Sequence, residues 1–163
     1  MAASSPSGGT GVIGFIGRLQ RLSAAEGAML LEALVLLAFS SAAIRLLPFS
    51  RVGRLASLRL GRARSGCREA LVGQVAWALT ACARRAPWRS VCFQQGLAAQ
   101  IMLRRRGVDA TLFYGAAQDK TQGLSAHVWV RAGRRDVVGC DAAEGFAILA
   151  TFPDRPGGVE SVS

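Results

Sequence analysis

The pattern of apolar and polar positions divides the chain into a helical first half and a second half of shorter period. Ser23-Ala24-Ala25-Glu26 is a capping-box sequence, and it opens an apolar run that predicts one long helix to about Leu47, stopped by Pro48. The stretch from Arg51 to Arg64 interleaves arginines with Leu55, Leu58 and Leu60, which predicts a basic helix or connector. From Glu69 to Arg85, residues Leu71, Val72, Val75, Ala76 and Leu79 recur at helical spacing, and the basic pair Arg84 and Arg85 suits a helix C-terminus. Pro87 breaks the chain. Ser90 is then placed to cap a helix from Val91 to Arg106, and Gly107 is the residue type that accepts the left-handed conformation after a helix. Beyond it, Ala110 to Tyr114, Ser125 to Arg131, Asp136 to Cys140 and, more weakly, Phe146 to Phe152 predict strands punctuated by glycines. The fold class expected is α+β: N-terminal helices, then a helix packed on a small antiparallel sheet.

A length of 163 residues limits the chain to one ordinary domain. Its expected organisation is a small-residue tail over 1–11, a helical region with apolar and basic helices over 12–86, and a core over 87–163. Half of the 20 basic residues lie between Arg45 and Arg89, which predicts a positive face within a net charge of +10. Nucleic acid, an anionic membrane surface and an acidic protein partner all suit such a face, and charge alone does not choose among them. The apolar run from Ala28 to Leu47 is about as long as a bilayer span. Glu32 near its start, and its dilution by alanine and serine, favour a buried or surface-docked helix over a crossing one. Cys67, Cys82, Cys92 and Cys140 show no C-x-x-C spacing and follow no cleavable signal, which points to the cytoplasm.

Candidate chemistry centres on Cys92, in the first turn of the helix after Ser90. Unpaired backbone N–H groups and the positive end of the dipole favour a thiolate there, and the thiolate is the attacking species. His127 is the chain's one histidine and falls inside a predicted strand, 35 residues after Cys92. An acid to orient the imidazole is supplied by Asp136 or Asp141, and hairpin geometry separates them. With Gly133, Arg134 and Arg135 as a three-residue loop, Asp141 lies directly across from His127, with Cβ atoms roughly 5 Å apart. A two-residue loop would put Cys140 there instead, making Cys140 the rival nucleophile. Trp129, two residues from His127 on the same face, is placed to shield the imidazole. Trp88 is a candidate for the substrate cleft, and Gln94 or Gln95 for an oxyanion donor. The cysteines, histidine and acids lack paired metal-ligand spacing, so neither a metal nor another cofactor is expected.

These segments resemble a known family. Pro87-Trp88-Arg89-Ser90-Val91-Cys92, the helix ending Arg104-Arg105-Arg106-Gly107-Val108, Ala126-His127-Val128-Trp129-Val130, Gly139-Cys140-Asp141 and the apolar helix leading to Leu46-Leu47-Pro48-Phe49 together resemble the standalone leader peptidases of lasso-peptide biosynthesis. The resemblance implies a transglutaminase-like, papain-related core with Cys92 as nucleophile, His127 as base and Asp141 as orienter; the residues expected toward substrate from their positions alone are Trp88, Trp129 and Gln95. It implies cysteine-endopeptidase removal of a precursor's leader, a separate leader-recognition protein as partner, and a downstream ATP-dependent cyclase. Val128 stands where many relatives carry alanine. Left open are a transglutaminase-like acyltransferase and a non-catalytic basic adaptor at a membrane surface or on nucleic acid, although a nucleic-acid partner is not expected of a peptidase.

Overall fold

The computed structural model describes residues 23–58, 68–86, 91–119 and 123–153. Four helices precede a four-stranded sheet: α1 (Ala24–Leu46), α2 (Phe49–Ser57), α3 (Arg68–Ala83) and α4 (Cys92–Arg105), then β1 (Thr111–Asp119), β2 (Gly123–Ala132), β3 (Arg135–Val138) and β4 (Ala147–Phe152), with a 3-10 turn at Cys140–Ala142. The architecture is the α+β arrangement expected. Ser23 caps α1 as its sequence predicts: its hydroxyl accepts from the Glu26 N–H at 3.3 Å, and the Glu26 carboxylate accepts from the Ser23 N–H at 2.8 Å. The basic helix begins at Phe49, directly after Pro48, and ends at Ser57. The rest of the predicted Arg51 to Arg64 element lies outside the described residues.

The central element is α4. From Gly96 to Arg104 every residue is buried, because the sheet covers one side while α1 and α3 pack on the other. Its N-cap is Val91, one residue later than expected; Ser90 lies outside the described residues. Val91 has no capping side chain. Instead its own N–H donates to the Gln94 side-chain oxygen at 3.2 Å, which satisfies one donor at the helix start. At the other end, Gly107 takes φ +70° and the Val108 N–H donates to the Leu103 carbonyl at 3.0 Å, the left-handed stop its sequence predicts.

The sheet is antiparallel in the order β3-β2-β1-β4. Period-2 alternation assigns the two faces of β2. Val128 and Val130 point at α4, where a Cβ on Gly96 would come within 2.7 Å of Val128 Cγ1, so only a glycine lets helix and strand approach this closely. His127 and Trp129 therefore project from the opposite face. Trp129 stacks on Phe113 at 5.5 Å between centroids and fills the space above Gly115, the residue paired with His127.

The hairpin between β2 and β3 departs from expectation in two compensating ways. Its loop is the two-residue turn Gly133-Arg134, with Ala132 paired to Arg135. An irregularity between Val130 and Arg131 then inserts one extra residue, so Val130 pairs with Val138, the register the three-residue loop would have given. The strand ends there. Gly139 takes φ +74° and turns the chain into the 3-10 turn, so Cys140 and Asp141 are not strand residues.

Candidate active site

Cys92 is the first residue of α4, half-buried against the core. At this helix start the Gln94 and Gln95 N–H groups donate to the Val91 carbonyl, while those of Cys92 and Phe93 have no intrahelical acceptor and lie with the sulfur at the positive end of the helix dipole. Gln94 is 5 % exposed and its oxygen is already engaged by Val91, which removes that oxygen from any role toward substrate. Gln95 sits half-buried one position on. Trp88 lies outside the described residues.

The three described cysteines differ in how their thiols are used. Cys82 donates to the Leu30 carbonyl at 3.3 Å, and burial raises its pKa. Cys140 donates to the carbonyls of Val130 at 3.3 Å and Val138 at 3.6 Å, and burial is likewise the main cause of its raised pKa. A carbonyl accepts a proton but cannot stabilise an anion, so both sites hold the thiol. Among the described residues Cys92 has no such acceptor. The arrangement thus separates Cys92, at a helix start, from Cys140, the rival raised by the hairpin register.

His127 is half-buried, with its ring 5.3 Å from that of Phe146 and 6.1 Å from that of Trp129. Trp129 is 3 % exposed, so it walls the ring off from water and presents almost no surface to a substrate. The Nε2 atom lies 2.7 Å from the Gly139 carbonyl oxygen. A carbonyl only accepts, so Nε2 carries the proton and, in the neutral ring, Nδ1 holds the lone pair. This contact was not foreseen from the sequence; its one signal was a glycine immediately before Cys140-Asp141. The turn at Gly139 makes it: a Cβ there would lie 2.5 Å from the Val128 carbonyl and 3.4 Å from His127 Nε2.

Asp141 is exposed on the 3-10 turn. Among the described residues no hydrogen bond or ion pair joins it to His127, and none joins Cys92 to the ring. The structure brings His127 to Gly139, Trp129 and Phe146; Cys92 starts the helix on the other face of β2. Among the described residues no group of three or more histidine, cysteine or acidic side chains is placed to hold a metal. A groove of about 590 Å³ between α1 and α3, lined by Ser23, Glu26, Met29, Gln74 and Trp77 among others, includes none of the site residues.

Helices leading to a buried helix that begins at a cysteine, followed by an antiparallel sheet bearing the histidine, are the order in which a thiol-enzyme core is built. A family model described as the transglutaminase-like superfamily matches residues 33–151. The chain belongs to the transglutaminase-like superfamily. Its members are typically thiol hydrolases and transferases, and the matched range takes in α1 from Ala33 onward as well as Cys92, His127 and Asp141. No curated protein and no solved structure matches the chain.

Proposed function

We propose that this member of the superfamily is a cysteine peptidase that removes the leader from a lasso-peptide precursor, with Cys92 as nucleophile, His127 as base and Asp141 as the supporting carboxylate. The observation that carries the nucleophile is the contrast among the thiols: Cys82 and Cys140 are spent on carbonyls, whereas Cys92 opens a helix. The peptidase reading rests on the sequence resemblance from Pro87 to Asp141 together with the superfamily.

With Nε2 bonded to Gly139, the base is Nδ1. It takes the Cys92 proton, and the thiolate adds to the scissile carbonyl. The C–N bond breaks as the imidazolium returns its proton to the departing amine, leaving a thioester that water hydrolyses. Asp141 supports the imidazolium through its charge, since the hydrogen bond to the ring is made by Gly139. The reaction requires Cys92 and His127 to come within hydrogen-bond reach; because the body of α4 and the ring lie on opposite faces of β2, they must meet past the start of the helix and not through the strand. The expected partners are the precursor's leader, a separate recognition protein that holds it, and the ATP-dependent cyclase that takes the product, all in the cytoplasm.

The test is incubation with a lasso precursor and its recognition protein, read by mass spectrometry. Wild type and Cys140→Ala cleave between leader and core; Cys92→Ala and His127→Ala do not. Cleavage lost only in Cys140→Ala would overturn the assignment. Transfer of the acyl group to an added amine, in place of hydrolysis, would make the protein an acyltransferase of the same superfamily.

A further inference from the structure

The outer face of α1 is apolar, and among the described residues nothing covers it. Leu31, Leu34, Val35, Phe39 and Leu46 are 63, 39, 57, 45 and 80 % exposed, and Ala38 and Ala42, also exposed, fill the spaces between them. Helical spacing gathers these positions into one stripe. From Leu31 to Leu46 it covers fifteen helical rises, roughly 22 Å. The inner face is a separate surface: Ala33, Leu37, Ser40, Ser41 and Ala43 are buried against the protein. A helix apolar on both sides has its second face satisfied only when something covers it.

Charge and chemistry say what the cover is. From Gly27 to Leu58 the one acid is Glu32, and it is held by Arg105 and Arg106 of α4. Arg45 stands exposed on the stripe's side of α1, and the next helix, α2, exposes Arg51 and Arg54; none of the three has an ion pair among the described residues. The stripe itself offers leucine, valine, phenylalanine and alanine, with no hydrogen-bonding side chain. Protein interfaces carry about one hydrogen bond per 100–200 Å², whereas an acyl-chain boundary asks for none. Arginines edging an apolar strip match anionic headgroups edging that boundary.

We propose that α1 docks the protein on an anionic membrane surface, its outer stripe sunk to the headgroup boundary and Arg45, Arg51 and Arg54 on the phosphates. The helix lies along the surface and does not cross it. Although α1 is long and apolar enough to span, its inner face belongs to the core, and Glu32 is tied to α4. The docking is independent of the chemistry at Cys92.

Full-length protein is sedimented with vesicles of phosphatidylcholine alone and of phosphatidylcholine with phosphatidylglycerol. Wild type pellets with the phosphatidylglycerol vesicles, and added salt weakens the binding. Leu31→Ser/Val35→Ser/Phe39→Ser, all at exposed positions, and Arg51→Glu/Arg54→Glu each lower partitioning by about tenfold or more, with circular dichroism unchanged. Wild type left in the supernatant overturns the proposal, as does wild-type binding by both variants. A wild type that ignores vesicles and is dimeric by light scattering, with the serine variant monomeric, would assign the stripe to a second copy of the chain.

Discussion

At the scale of single residues, the fixed point is the hydrogen bond from His127 Nε2 to the Gly139 carbonyl. Because the chain holds one histidine, nitrogen NMR reads its ring without ambiguity. The neutral ring should show Nε2 protonated and Nδ1 bare. Asp141→Asn should keep that tautomer while slowing leader cleavage by about tenfold, since it removes a supporting charge and not the orienting bond. A tautomer change in Asp141→Asn would return the orienting role to the carboxylate. The thiols make a second prediction. Under limiting iodoacetamide at neutral pH, peptide mapping should find Cys92 alkylated well before Cys82 and Cys140, whose burial keeps their thiols protonated; comparable labelling of Cys140 would remove the main reason for preferring Cys92.

At the scale of elements, α1 is pinned to α4 by Glu32, which accepts from Arg105 at 3.3 Å and from Arg106. The hydrogen bond from Arg106 holds the Glu32 carboxyl below its ordinary value of 4.5, with burial opposing. A folded pKa below the unfolded one means that the contribution is complete above the ordinary glutamate range and is lost as pH falls through the folded value. Glu32→Gln should therefore cost about 1–2 kcal/mol near neutrality, a charge-assisted pair discounted for partial exposure. In denaturant titrations the gap between variant and wild type should close as the solution is acidified below pH 4.5; a gap constant with pH would show the charge to be idle. Elements were also what the sequence disclosed best. Ser23 and Glu26, Pro48 and Gly107 mark boundaries through local chemistry, and they stand where that chemistry predicts. The hairpin was legible only in part, because an irregularity beside Arg131 offset a shorter turn, and neither leaves a mark in residue spacing. For the same reason the hairpin register placed Asp141 directly across from His127: the positive φ of Gly139 ends β3 early, and a glycine fits a strand, a turn or a bulge. Gln100 left no signal either. Its Nε2 reaches the carbonyls of Ala56, Ala110 and Phe152, joining three segments that only the tertiary fold brings together.

At the scale of the whole molecule, the decisive fact is that α4 is covered on all sides from Gly96 to Arg104. The catalytic core expected over 87–163 contains α4 and the sheet, but the outer wall of α4 is α1 and α3, through Ala33, Leu37, Val72, Val75 and Leu79 in the same cluster as Leu97, Met102 and Leu103. Uncovering a large apolar side chain costs about 1.5–3 kcal/mol, and a domain of this size holds only about 5–15 kcal/mol in total. Loss of three or four such contacts therefore exhausts the stability of what remains. A chain beginning at Pro87 should lack a cooperative thermal transition by circular dichroism and should bind a hydrophobic dye, whereas one beginning at Ser23 should melt sharply. Cooperative melting of the 87–163 chain would mean that the sheet and α4 sustain themselves, and that the helical region serves the nucleophile helix as an attachment and not as half of its core.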